Sequence, residues 1–168
     1  MDTASYLRQV VSKLADEIGV RTFRDADRMA RTAAYISTEL SSFGCAVSKQ
    51  TYTAVGQSLS NIIGERHGNG SGGKILVIGA HYDTVRTTPG ADDNASGIAG
   101  LLGIARLLAG RNPDRTVRFA AFAFEEPPAY RTHAMGSYQY AKSLHDSRAD
   151  VEGMICLEMI GCFSDAAG

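Results

Sequence analysis

GAHYDTVRTTPGADDNASG, residues 79–97, decides how this chain is read. Before it stands KILVI (74–78), a short apolar, β-branched run with the character of a buried strand. After it comes IAGLLGIARLLA (98–109), apolar at helical spacing and too long for an ordinary strand. A strand ends, a loop carries His81, Asp83, Asp92 and Asp93, and a helix begins. In open α/β sheets, ligands gather outside the carboxyl ends of the strands. One imidazole and three carboxylates at such a place suit a hard-to-borderline divalent cation, and zinc accepts both nitrogen and carboxylate oxygen. Taken alone, the loop reads equally well as turns and helix caps, with Asn94 or Ser96 opening the next helix.

Two further segments shift that balance. TVRFAAFAFEEPP (116–128) is another apolar strand that ends in carboxylates, Glu125 and Glu126. Neighbouring side chains on a strand point to opposite faces, so both can serve one site only where the strand stops. Pro127 and Pro128 stop it by removing two backbone donors. GMICLEMIG (153–161) reads as a third strand and carries Glu158 in an otherwise apolar run. A carboxylate buried there is costly unless it is paired, protonated or metal-bound. From residue 74 the pattern is strand, loop, helix, strand, helix, strand, which predicts right-handed crossovers and a parallel sheet core.

HYD, GADDNASG, EE and LEMIG, in this order, resemble the zinc-dependent aminopeptidase family. These are co-catalytic di-zinc exopeptidases related to bacterial leucyl aminopeptidases, glutamate carboxypeptidase and glutaminyl cyclase. The resemblance covers nearly the whole chain. It implies a three-layer α/β/α fold with a mixed, largely parallel central sheet, and hydrolysis of N-terminal peptide bonds in a peptide or aminoacyl substrate. It also implies roles for particular residues. Asp93 bridges two zinc ions, His81 and Glu158 complete the first metal position, and Glu126 belongs to the second. Most relatives have Asp at the place of Glu158. Glu125 is the general base, taking a proton from the attacking water and passing it to the leaving amine. Asp83 holds the imidazole of His81 by its second nitrogen. A cis peptide is implied directly after Asp93.

One departure from the family pattern concerns the last ligand, a histidine well downstream of the LEMIG-like strand. Residues 1–168 are therefore expected to form a single zinc-peptidase domain that is incomplete at its C-terminal side. With only Asp93 and Glu126 at the second position, at most one tightly held zinc and little peptidase activity are expected of these residues alone. Self-association through an uncovered sheet edge is expected as well. Two other readings stand beside the exopeptidase. One is a glutaminyl-cyclase-like acyltransferase, and the other is a non-catalytic binding or dimerisation module of the same fold.

Composition narrows the field. The 168 residues are 44% hydrophobic and 21% charged, an ordinary globular mixture. A net charge of −1, with no basic run, excludes electrostatic steering towards nucleic acid or an anionic membrane. No signal peptide or membrane span is visible, which gives a cytoplasmic expectation. Cys45, Cys156 and Cys162 show no CxxC spacing and read as reduced, buried thiols.

The remainder supports the central motif. Residues 3–18 place Leu7, Val10, Val11, Leu14 and Ile18 on one helical face, with Thr3 or Ser5 as cap and Gly19 as terminator. A second helix over 25–43 turns Met29, Ala33, Ile36 and Leu40 inward and ends at Gly44. Segments 47–54 and 58–66 form an antiparallel pair, and HGNGSGG (67–73) is a turn with His67 in water. A fourth helix over 135–145 is expected to face Tyr138, Ala141 and Leu144 inward. Arg131 and His133, in the loop after the glutamates, read as solvent-facing side chains near the site.

Overall fold

The computed structural model describes residues 1–70 and 73–162. Its helices are α1 (Thr3–Ser12), α2 (Ala26–Ser42), α3 (Gly97–Leu107) and α4 (Gly136–Asp146). Its strands are β1 (Ala46–Ala54), β2 (Gln57–Arg66), β3 (Ile75–His81), β4 (Thr116–Phe122) and β5 (Val151–Cys156). They form one sheet in the order β1-β2-β4-β3-β5. β1 with β2 and β2 with β4 run antiparallel, whereas β3 is parallel to both β4 and β5. The strands that end in the candidate ligands are thus the parallel part of a mixed sheet.

Alternation along β4 explains why its sequence is apolar without interruption. Val117, Phe119 and Ala121 face the larger core, which α1, the π turn after it, α2 and α3 close with Val10, Leu14, Ile36, Leu40, Leu101 and Leu102. Ala120 and Phe122 face a smaller core with Ile63, Val77 and Tyr140 on the α4 side. A strand covered on both faces has no solvent side to mark with polar residues. Helix, sheet and helix make three layers.

The first two helices carry the expected faces, with differences at the ends. Asp2, not Thr3 or Ser5, caps α1, its carboxylate accepting from the Ser5 amide at 3.0 Å. Lys13–Ile18 continues the helix in π form up to Gly19, at φ 83°. Asp25 caps α2, and Gly44, at φ 78°, follows its end.

Three expectations fail. In α4 the buried residues are Gly136 and Tyr140; Leu144 packs half-buried against the smaller core as expected, whereas Tyr138 and Ala141 are exposed. Gly136 contributes no side chain to a hydrophobic pattern, so the sequence shows the inward face only in part. Cys45 is buried, but Cys156 and Cys162 are exposed: Cys156 ends β5, an edge strand among the described residues, and Cys162 lies beyond that strand. Nor is Glu158 buried within a strand, because β5 ends at Cys156. It lies past the end of β5, with its side chain 48% exposed. Along that edge Met154, Ile155, Met159 and Ile160 are exposed too. Among the described residues, no helix is long and apolar enough to cross a membrane.

Candidate active site

β3 extends further than its apolar run suggests, and its last residue is His81. Ile75 and Val77 pack on the α4 side, so the period of two puts His81 on that face at the carboxyl end. Gly79 lies between them for a steric reason. A Cβ there would stand 2.6 Å from Met154 Cε and from Phe122 Cε2. Beyond the strand, the chain returns through Gly90, at φ 61°, into the turn Ala91–Ser96, where Asp93 and Asn94 leave helical geometry. The Asp93–Asn94 peptide is cis, as the resemblance implied.

This path brings His81 and Asp93 together, and the segments after β4 and β5 add Glu126 and Glu158. His81 Nε2 is 3.2 Å from Asp93 Oδ1 and 3.3 Å from Glu158 Oε1. Ligand atoms of His81, Asp93 and Glu126 all lie within 4.8 Å of one another. Asp93 Oδ1 is buried and has no hydrogen-bond partner. Ligands about 2.0–2.1 Å from a tetrahedral zinc stand about 3.3–3.4 Å apart, close to the two distances from His81 Nε2. The mixed nitrogen and carboxylate donor set, the crowded negative charge and the orphaned oxygen all fit a divalent cation.

Asp83 sits behind these donors, 1% exposed. His81 Nδ1 is 3.1 Å from the Asp83 carbonyl and 3.4 Å from its carboxylate. The second nitrogen is therefore met first by the main chain. The Asp83 carboxylate also reaches across to the end of β4, where its oxygens accept from the amides of Glu125 at 3.0 Å and Glu126 at 3.1 Å. It thereby ties the segment after β4 to the loop after β3. Phe124, at φ 60°, turns the chain just before the two glutamates, so both follow the strand and neither belongs to it.

The electrostatics follow from this crowding. Burial pulls the His81 imidazolium towards neutrality, but hydrogen bonds to Asp83 and Glu158 outweigh it and raise the pKa to about 11. Burial, and then the charge of Asp93, raise Glu126 to about 7. Burial also raises Glu125, against hydrogen bonds from Ser137 that lower it. A cation in this place would displace the protons.

Several residues that position the site carry no motif. Ser137 donates its amide to Glu125 Oε1 at 2.7 Å and its hydroxyl to Oε2 at 2.8 Å, so both Glu125 oxygens are held at the start of α4. Asn61, fully buried, donates to the Gly136 carbonyl at 2.8 Å and accepts from Ala123 N at 3.0 Å, fixing α4 to the sheet. Asn94 does cap α3, accepting from Gly97 N at 3.0 Å, and it also donates to Leu157 O at 2.9 Å and Glu158 Oε2 at 3.3 Å. Asp92, by contrast, turns away and accepts from Gly161 N at 2.8 Å. Polar side chains that serve distant main-chain groups leave no periodic trace in a sequence.

An open cavity of about 910 Å³ adjoins the donors. Its walls include Tyr130, Met135, Tyr138, Ala141, Met154 and Cys156, together with Arg131 and His133. The last two are exposed, as expected, and they also line this cavity; the His133 ring stacks on Tyr138 at 4.3 Å.

Comparison with known proteins gives this arrangement a lineage. The model of peptidase family M28 matches residues 61–167. The Escherichia coli (strain K12) protein YfbL is 39% identical over 170 residues, which cover 96% of this chain and 51% of that protein. Aminopeptidase YwaD of Bacillus subtilis (strain 168) is 36% identical over 109 residues, 62% of this chain and 22% of its own length. The chain thus spans about half the length of the first relative and less than a quarter of the second. Among solved structures, BSAP, a zinc aminopeptidase from Bacillus subtilis, shares the fold with a TM-score of 0.84 at 17% identity, over 94% of this chain and 69% of that one. By the match over most of its length, and with the fold that accompanies it, the chain belongs to peptidase family M28.

Proposed function

We propose that this chain carries the metal-binding and proton-transfer residues of a zinc-dependent exopeptidase that removes the N-terminal residue of peptides. The observation behind this is the meeting of His81 Nε2 with Asp93 Oδ1 and Glu158 Oε1 at 3.2 and 3.3 Å beside a large cavity. His81, Asp93 and Glu158 would hold one zinc, and Glu126 lies beside them on the side of a second. Among the described residues that second position has only the carboxylates of Asp93 and Glu126, so we expect one tightly held zinc per chain. Bound zinc supplies Lewis acidity, lowering the pKa of water and polarising the scissile carbonyl.

The remaining work falls to the protein. Glu125, held by Ser137, takes a proton from the attacking water and delivers it to the amide nitrogen as the carbon–nitrogen bond breaks. The products are a free carboxylate and an amine. Asp83 keeps the two glutamates in register and orients the His81 ring. The apolar wall formed by Tyr130, Met135, Tyr138 and Met154 suits the side chain of the N-terminal residue.

The test separates two neighbours. In an otherwise complete peptidase domain, Glu125→Gln should retain zinc and lose about 10²–10⁴-fold in hydrolysis of aminoacyl chromogenic substrates. Glu126→Gln should instead weaken metal binding, at the second position first. Equal loss of zinc in both variants would overturn the assignment, and cyclisation of an N-terminal glutamine peptide in place of hydrolysis would point to acyl transfer instead.

A further inference from the structure

The largest fully buried side chain is a cation, Arg21, which is 0% exposed. Burial lowers its pKa to about 10, while Asp83 and Asp93 raise it, so it is charged at neutral pH. Among the described residues no carboxylate lies within ion-pair distance, and main-chain carbonyls satisfy the guanidinium instead. Nε donates to Tyr82 O at 2.8 Å, and Nη1 is 2.8 Å from each of the Leu14, Gly19 and Pro89 carbonyls. Nη2 donates to Gly90 O at 3.2 Å. The backbone of Arg21 joins in, its amide donating to Thr84 Oγ1 at 2.9 Å and its carbonyl accepting from Thr84 N at 3.1 Å.

These partners fall into two groups. Leu14 and Gly19 mark the end of the first helix. Tyr82, Thr84, Pro89 and Gly90 belong to the loop between His81 and Asp93. Tyr82 adjoins His81, and the Gly90 carbonyl that receives Nη2 also accepts from Ala95 N at 3.0 Å, across Asp93. Arg21 therefore grips the loop beside both donors. A lysine cannot copy this, because an ammonium is a compact charge without the planar fork of N–H groups.

We propose that Arg21 is a positioning residue of the metal site: by fixing both ends of the loop from Tyr82 to Gly90 it sets the separation of His81 and Asp93, without touching the metal. The inference rests on the reading that these two residues hold zinc. A purely structural tie between helix and loop would lower stability and leave the affinity of folded protein unchanged.

Zinc affinity, measured by competition with a chromophoric chelator, separates the two. The variants are Arg21→Lys, Arg21→Met and Leu14→Ala, each at a temperature where circular dichroism shows it folded. Leu14→Ala opens a cavity at the same helix end and keeps the Leu14 carbonyl. Outer-shell partners of metal ligands typically contribute about 10–100-fold in affinity, and a loss of that size is expected in both Arg21 variants. Leu14→Ala should bind as the wild type does. Amide exchange in the metal-free protein should rise over residues 82–93 in the Arg21 variants only. Unchanged affinity in the Arg21 variants, or an equal loss in Leu14→Ala, overturns the inference. Should neither Arg21 variant fold, Thr84→Val keeps the guanidinium and removes the two hydrogen bonds of the Thr84 hydroxyl, one accepted from the Arg21 amide and one donated to the Val85 carbonyl. A several-fold weaker zinc affinity in that variant supports the inference, and an unchanged affinity overturns it. A wild-type chain that takes up no zinc would overturn the metal reading and this one with it, whereas wild-type uptake with unaffected variants removes this one alone.

Discussion

Loading the metal-free protein with zinc is expected to expel protons, in a number that changes with pH. In the metal-free site His81 has a pKa of about 11 and Glu126 of about 7. His81 must be neutral imidazole to bind zinc, and a divalent cation beside Glu126 favours its ionised form, so uptake displaces whatever protons the two groups hold. At pH 7 His81 gives up one and Glu126 about half of one, a release of about 1.5 per zinc from the protein's own groups, beside whatever proton the attacking water loses as its pKa is lowered. At pH 9 Glu126 is already ionised, and the release from the protein falls towards about one. Titration calorimetry in buffers of different ionisation enthalpy reads the total as a slope. Glu126→Gln should lower the pH 7 value by about half a proton and leave the pH 9 value unchanged. The same protons set the stability of the metal-free state. Both folded pKa values lie above the unfolded ones, 6.5 for His81 and 4.5 for Glu126. The folded protein then holds more protons, so its stability falls as pH rises through about 4.5–7 for Glu126 and 6.5–11 for His81. Zinc should remove most of that slope. Release close to zero at pH 9 would show that His81 is neutral without metal, and the electrostatic account of the site would be refuted.

Other consequences are open to simpler measurements. Ser137→Ala removes the hydroxyl hydrogen bond to Glu125 and should lower kcat about ten-fold with zinc content and KM unchanged; a change in KM alone would count against it. Phe119→Ala, at a fully buried position in the middle of the sheet, should cost about 3–5 kcal/mol in urea unfolding, and a loss below about 1 kcal/mol would show that this core closes over the gap. The exposed edge at β5 should support concentration-dependent association in sedimentation, weakened by Ile155→Lys. A wild type that sediments as a monomer at every concentration would dispose of that idea.

The parts legible in the sequence were those with a repeating physical cause. β3 and β4 could be read because two-sided burial writes an unbroken apolar run, and α2 because Met29, Ala33, Ile36 and Leu40 recur at helical spacing. The face of α4 was not legible, since the cavity and the core both take tyrosines: Tyr138 lines the one and Tyr140 the other. Nor was the exposure of Cys156, because an edge strand and a central strand can share one composition. Within the site, His81, Asp93, Glu126 and Glu158 stood in recognisable motifs and converge at the strand ends. Arg21, Asn61 and Ser137 stood in none. Their partners are mostly main-chain groups brought near only by tertiary folding.

The strand order has a consequence for how such a site comes into being. β3 lies between β4 and β5, and each of the three sends a donor from its end, although β5 follows every other described strand in the chain. A ribosome releases the segment bearing His81 long before the one bearing Glu158. No short stretch gathers all the donors by itself, as the hairpin and helix of a small zinc module do. The sheet must already be paired across large sequence separations before the complete set is in reach. Metal capture is then a late event on the folding path, a seal on finished architecture, and a nascent chain that stalls before β5 pairs with β3 presents an incomplete cage.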